Sequence, residues 1–293
     1  NFFYFNLIDF NKTKKIISKV KPDIIIHMAA QSLVRKSYNK PYMTFNENLI
    51  STLNILETSL HQKEIKSIFI TTSDKCYENL NLKNKKFNES DKLGGNDPYS
   101  GSKAATEIMI NSYLKSFYYK KKIGLASARS GNVIGGGDWS EDRLIPDLIR
   151  SIETKKKLII RYPLATRPWQ HVIDLNNGYI KLIEKLYKYP NKFSGSWNFG
   201  PKINSKKNVQ DIVKKIKKTF FKELNFEIKA AKDYSESLYL SINSSKTEDL
   251  LGWINKFSLN QSLNLTISWY YSHIYDRKKT FDLIQSQLNS NKI

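Results

Sequence analysis

Three stretches of this 293-residue chain carry side chains suited to proton and phosphate chemistry. Residues 71–79 read Thr-Thr-Ser-Asp-Lys-Cys-Tyr-Glu-Asn and set a hydroxyl, a carboxylate and an amine side by side at Ser73, Asp74 and Lys75. Tyr99 and Lys103 lie four residues apart, so a helix presents them on one face. An ammonium beside a phenol favours the phenolate. A phenolate can take the proton of an alcohol while hydride leaves the same carbon. The third stretch is marked by arginine: five of the seven arginines fall between residues 129 and 167, in a chain whose 41 lysines are spread throughout. The guanidinium fork suits bidentate recognition of phosphate. Arg143 and Arg167 read as phosphate ligands and Arg150 as a surface ion-pair partner, while Trp169 and His171 are placed to pack on a base or ribose.

The tyrosine–lysine spacing selects nothing alone, since it recurs at Tyr118/Lys122 and Tyr275/Lys279. Position selects Tyr99, which opens a long predicted helix (98–120, with proline in its first turn) just after the polar run at 72–75. Apolar runs at 23–27, 67–72 and 123–129 predict buried strands, with helices at 46–62 and 98–120 between them. Strands that alternate with helices and lack hairpin signals pair in parallel through right-handed crossovers. The fold class is α/β, a doubly wound parallel sheet of Rossmann type. After residue 130 the alternation loosens. A helix near 142–153, a strand near 157–161, helices at 172–188 and 207–222, a short strand at 196–199 and a final helix at 259–275 are expected. They imply a smaller interleaved C-terminal substrate domain. The division is 1–131 with 168–198 for the nucleotide-binding part, and 132–167 with 199–293 for the substrate part.

Ligands in such sheets sit beyond the carboxyl ends of the strands. Here those ends are His27-Met28-Ala29-Ala30-Gln31, Thr72-Ser73-Asp74-Lys75 and Arg129-Ser130-Gly131-Asn132. A dinucleotide-binding sheet opens with a glycine-rich turn, yet the first glycine of the chain is Gly94. The expectation is that the first βα unit of the sheet, about 30–60 residues, precedes Asn1 in the intact protein.

Composition narrows the classes. Hydrophobic residues at 40% and aromatics at 13% can fill a core. No apolar run reaches the length of a membrane span. One cysteine, Cys76, excludes an internal disulfide framework and multi-cysteine zinc sites, and a reducing cytoplasm is the natural compartment. The formal charge of +21 comes from dispersed lysines, which reads as compositional drift rather than a nucleic-acid footprint. Neither a nucleic acid nor a membrane is expected as a partner, and no metal site is expected.

The segments HMAAQSLVRKSY (27–38), TTSDKCYEN (71–79), DPYSGSKAATE (97–107), ARSGNVIGGGDWSEDRLIPD (128–147), RPWQHVID (167–174), WNFGP (197–201) and SKTEDLLGW (245–253) resemble the extended short-chain dehydrogenase/reductase family, specifically its nucleotide-sugar epimerases and dehydratases. The resemblance spans nearly the whole chain from residue 6. It implies an enzyme that removes water from CDP-glucose to give the 4-keto-6-deoxy sugar, using an internally recycled NAD. By resemblance, Tyr99 is the base for the C4 hydroxyl, Lys103 holds the nicotinamide ribose and depresses Tyr99, and Ser73 bonds the C4 oxygen. Asp74 protonates the departing C6 hydroxyl. Lys75 stands where relatives keep the base for the C5 proton, or else stabilises the enolate as a charge. Met28, Ala29, Ala30, Gln31 and Asn48 belong to the nicotinamide side, and Asn6 and Leu7 to the adenine, although aspartate is usual at the position of Asn6. Asn132, Arg143, Arg167 and His171 contact the nucleotide diphosphate. A homodimer or homotetramer, paired through the helices at 46–62 and 98–120, is also implied, as is a place in deoxysugar synthesis for surface polysaccharides such as lipopolysaccharide O-antigen. The alternatives are a dehydratase for another nucleotide sugar, a 4-epimerase, or a truncated relative that binds nucleotide without turnover.

Overall fold

Runs of β-branched and small apolar residues build the centre of the molecule. The computed structural model describes residues 1–201, 206–229 and 237–290. Among these the strands, in chain order, are β1 (Ile24–His27), β2 (Ser67–Thr71), β3 (Gly124–Ser130), β4 (Val133–Ile134), β5 (Leu158–Ile160), β6 (Thr166–Pro168), β7 (Gln170–His171), β8 (Gly195–Phe199), β9 (Lys206–Asn208) and β10 (Phe226–Ile228). Four of them form one sheet in the order β1-β2-β3-β8. Every pair is parallel, with Ile25 opposite Ile68, Phe69 opposite Ala126 and Ala128 opposite Trp197. This is the predicted α/β sheet, and β2 and β3 are buried nearly throughout, as strands covered on both faces must be.

Alternate residues of β2 face opposite layers. Ile68 and Ile70 pack with Ile55, Leu56, Ile110 and Tyr118 of the helices on one face. Phe69 packs with Leu175, Leu182, Trp197 and Trp253 on the other. A third core stands apart from the sheet. It joins Ile145 and Leu148, Ile160 of β5, Ile212 and Ile216, and Leu263 and Ile267. The short pairs β5–β10 (parallel) and β6–β9 (antiparallel) border it.

The long helix carrying Tyr99 starts where its sequence says it should. Pro98 fills the first turn, and the Asp97 side chain accepts the Ser100 N–H at 2.9 Å. It runs as an α-helix over Pro98–Tyr113 and continues through a π turn at Leu114–Tyr118. A similar π turn at Asn46–Ile50 precedes the helix Ser51–Ser59. Two long helices escaped the sequence reading, as did the short ones Val34–Asn39, Pro41–Phe45, Pro190–Phe193 and Ser245–Leu251. Phe10–Val20 holds four lysines and buries only Thr13, so its apolar stripe is thin. Arg277–Ser290 follows the helix Leu259–Tyr275, which is therefore not the last. It packs back on that helix, with Gln287 Nε2 donating to the Leu265 carbonyl at 3.0 Å.

Candidate active site

The ends of β2 and β3 and the first turn of the helix Pro98–Tyr113 converge on one cavity of about 400 Å³. Thr72, Ser73, Asp74, Lys75, Tyr99, Asn132, Arg143 and Arg167 all line it. Ser73 caps a single 3-10 turn, Asp74–Cys76, accepting the Lys75 N–H at 3.2 Å. Its hydroxyl also donates to Asp74 Oδ1 at 3.2 Å. Asp74 is 2% exposed, and its Oδ2 has no hydrogen-bond partner. Gly131 makes room for that oxygen: a Cβ there would stand 2.9 Å from it. Burial pushes the Asp74 carboxyl up to about 6, against the opposing charges of Lys75 and Arg167. A carboxyl in this state can hold a proton near neutrality and release it to a leaving group.

Tyr99 and Lys103 share a helix face, and both are buried. The expectation that Lys103 depresses the phenol needs correction. Burial raises Tyr99 to about 12, and a hydrogen bond with Ser73 only partly offsets this; Asp74 raises it further and Arg143 lowers it. The ammonium is itself disfavoured, since burial brings Lys103 down to about 8. Sequence spacing placed the pair together, but desolvation decides its protonation.

The arginines sort by depth. Arg167 is 3% exposed, donates to the Thr166 carbonyl at 3.0 Å and faces Asp74. Arg143 reaches Asp138 at 2.9 Å and Ser32 at 2.8 Å. Arg150 pairs with Asp147 outside the predicted phosphate set, as expected of it. Arg129 turns inward to an ion pair with Glu107. His171 is not on the cavity wall. Its Nδ1 accepts the Ile173 N–H at 3.3 Å and caps the helix Val172–Lys188, and its ring sits edge-on to Phe257. Trp169 does line the cavity, with its indole N–H held by the Lys207 carbonyl at 3.1 Å. Sequence reasoning missed Ser32, Arg35, Asp142 and Tyr270 as wall residues, and assigned no role to Arg161 beyond counting it with the other arginines. The clue for Arg35 was its place just after a strand end.

Past the end of β1, Met28, Ala29 and Ala30 form an exposed ledge. Gln31 is buried, and Asn48 grips both of its backbone groups, accepting its N–H at 2.8 Å and donating to its carbonyl at 3.0 Å. Asn48 also donates to Ser102 Oγ at 2.8 Å, one residue from Lys103. Asn6 and Leu7 lie in the turn before the helix Phe10–Val20, where Asn54 donates to the Leu7 carbonyl at 2.9 Å. The described residues offer the Lys103 ammonium no hydrogen-bond acceptor, although it is 4% exposed. A buried donor of this kind suits a ribose hydroxyl, and the small-residue ledge suits a flat ring, so these residues fit a nicotinamide nucleotide. Among the described residues no cluster of three or more His, Cys, Asp or Glu could hold a metal.

Two buried histidines border this region. His27 Nε2 lies 3.0 Å from Thr52 Oγ1, and burial lowers both His27 and His171 to about 4. Both are therefore held neutral, which contributes stability above the unfolded value of about 6.5 that is lost as pH falls toward 4. The expected result is a melting temperature that drops between pH 6.5 and 4, with a shallower drop in His171→Asn, checked by thermal denaturation across that range.

The GDP-mannose 4,6 dehydratase family model matches residues 1–266. The chain belongs to this family. Among curated relatives, the CDP-glucose 4,6-dehydratase of Salmonella typhimurium is 40% identical over 91% of this chain and 75% of its own length. Two solved structures share the fold. A UDP-glucose 4-epimerase from Thermotoga maritima, crystallised with UDP-glucose, superposes with a TM-score of 0.79 at 20% identity, over 93% of this chain and 85% of that one. A dTDP-glucose 4,6-dehydratase from Streptomyces venezuelae, crystallised with NAD, gives 0.78 at 18% identity, over 93% and 80%.

Proposed function

We propose that the chain is a nucleotide-sugar 4,6-dehydratase that converts CDP-glucose to CDP-4-keto-6-deoxyglucose. The observation that carries the reading is Asp74: a buried carboxyl with one unpartnered oxygen, on the wall that also presents Ser73, Lys75 and Tyr99. A 4-epimerase has no use for a proton donor there, because it expels no hydroxyl. The similarity to the Salmonella enzyme supports CDP-glucose as the substrate.

Met28, Ala29, Ala30, Gln31 and Lys103, with Asn48 behind them and Asn6 and Leu7 toward the adenine, would hold NAD. NAD held there would supply the hydride acceptor for C4 and the hydride donor for C6. Tyr99 removes the C4 hydroxyl proton while Ser73 bonds that oxygen. The C4 carbonyl acidifies the C5 proton, which Lys75 removes or whose enolate Lys75 stabilises. Asp74 gives its proton to the C6 oxygen, which leaves as water. C5 is then reprotonated. Asn132, Arg143 and Arg167 line the cavity for the diphosphate.

Two domains are part of this reading, supported by the separate cores at the sheet and around the helices Leu144–Glu153 and Leu259–Tyr275. Exposed Ile108 and Phe117 support pairing of two copies through the long helix and its continuation. No helix among the described residues is long and apolar enough to cross a membrane. The free, buried Cys76 suits a cytoplasmic enzyme.

The test is incubation with CDP-glucose and NAD in deuterated water, followed by proton NMR. The expected product has a C6 methyl group, a ketone at C4 and one solvent deuterium at C5. Formation of CDP-galactose without a methyl signal would show an epimerase instead.

A further inference from the structure

One wall of the cavity carries charge pairs between segments far apart in sequence. Arg35, after the end of β1, donates to Asp142 Oδ1 at 2.8 Å, and Arg161, after β5, donates to the same oxygen at 2.9 Å. Arg143, next to Asp142, spans from Asp138 to Ser32. Asp142 is a non-glycine residue in the left-handed region, φ 61°. Arg35, Arg143 and Arg161 thus join Arg167 on the wall of one cavity, with Asp138 and Asp142 of a single short loop as their nearest carboxylates and Asp147 3.8 Å from Arg161. The groups of the Asp142 pairs are partly solvated: Arg35 is 35% exposed, Asp142 34% and Arg161 25%. Pairs at such exposure are weak and exchange readily for a better anion. A diphosphate offers more acceptor oxygens than a carboxylate and suits several guanidinium forks at once.

We propose that Asp142 is a built-in counter-anion that holds Arg35 and Arg161 at the cavity wall and hands both to the diphosphate of the incoming nucleotide. The assignment rests on the nucleotide-sugar reading above and adds Arg35 and Arg161 to the diphosphate ligands. It makes Asp142 a competitor for substrate, a positioning residue that touches no reacting atom. The φ of Asp142 gives the hand-over a local route, since an aspartate released from its two arginines can leave the left-handed region for a commoner one.

Competition and scaffolding predict opposite signs. Binding of CDP and of cytidine is measured by calorimetry on the full chain with saturating NAD. Asp142→Asn is expected to bind CDP about tenfold more tightly, with cytidine unchanged, because cytidine has no phosphates to compete. Arg35→Met is expected to weaken CDP about tenfold, again without effect on cytidine. Weaker or unchanged CDP binding in Asp142→Asn overturns the proposal, as does CDP binding that ignores Arg35→Met. Thermal melts of both variants identify any that fail to fold, and the remaining variant then decides. The NMR assay on the wild-type chain reports separately on the dehydratase reading: a chain that yields no 4-keto-6-deoxy sugar yet binds CDP more tightly as Asp142→Asn loses that reading and keeps the hand-over.

Discussion

Asp74→Asn should lower turnover of CDP-glucose by about 10²–10⁴, the range for loss of a general acid, while making the protein more stable at pH 8. The first effect follows from the proton: an amide cannot give one to the departing C6 oxygen. Oxidation at C4 does not need Asp74, so rapid-quench analysis should find sugar trapped at the 4-keto stage with its C6 hydroxyl intact. Loss of water at an undiminished rate would remove Asp74 from its role. The second effect follows from burial. The folded carboxyl titrates at about 6 instead of 3.8, so its contribution is complete below pH 3.8 and is lost as pH rises through 6. A rise of that size corresponds to about 3 kcal/mol. The variant escapes that loss, and its melting temperature should exceed the wild type's by several degrees at pH 8 and match it near pH 3.5. A gain in stability with a loss of activity is the signature of a group kept for chemistry.

Glu107→Ala should destabilise the fold by about 3–5 kcal/mol, because it leaves a buried guanidinium without its partner. Arg129 and Glu107 are 3% and 1% exposed and meet at 2.6 Å. The carboxylate also accepts from Thr72 at 2.5 Å, Ser127 at 2.9 Å and Ser196 at 3.0 Å. Burial alone would raise Glu107, but Arg129 and these bonds hold it below the ordinary carboxylate range. Arg129 in turn lies over the Tyr77 ring, 5.0 Å from its centroid. The network ties the end of β2, β3 and β8 to the helix of Tyr99 one turn beyond Lys103, and Thr72 directly precedes Ser73. Denaturant unfolding of the single variant and of Glu107→Ala/Arg129→Met checks the argument. The double variant should be the more stable of the two, since it removes the stranded charge. A double variant as unstable as the single would show that packing, not the unpaired guanidinium, sets the cost.

Much of this architecture is legible in the chain. The apolar runs 23–27, 67–72 and 123–129 are near-continuous, as strands buried on both faces must be, and they fall on β1, β2 and β3. Asp97-Pro98 announces the start of the Tyr99 helix by a cap and a fixed φ, both local effects. The polar strand ends stand out because ionisable residues rarely follow such runs without a task. The helix Phe10–Val20 was hidden because its lysines mask a stripe that contributes little burial.

The linear order determined which chemical groups this protein has, that Ser73, Asp74 and Lys75 would stand at a strand end and that Tyr99 and Lys103 would share a face of the next long helix, because periodicity, capping and crossover handedness act over short distances. Tertiary structure alone decided what state those groups are in. It sent Arg129 into the core and Arg167 beside Asp74, turned His171 to cap a helix, raised Tyr99 where spacing predicted it lowered, and joined Arg35 to Asp142 across 107 residues. Desolvation and long-range pairing set protonation and charge, and both depend on which distant segments exclude water from a side chain.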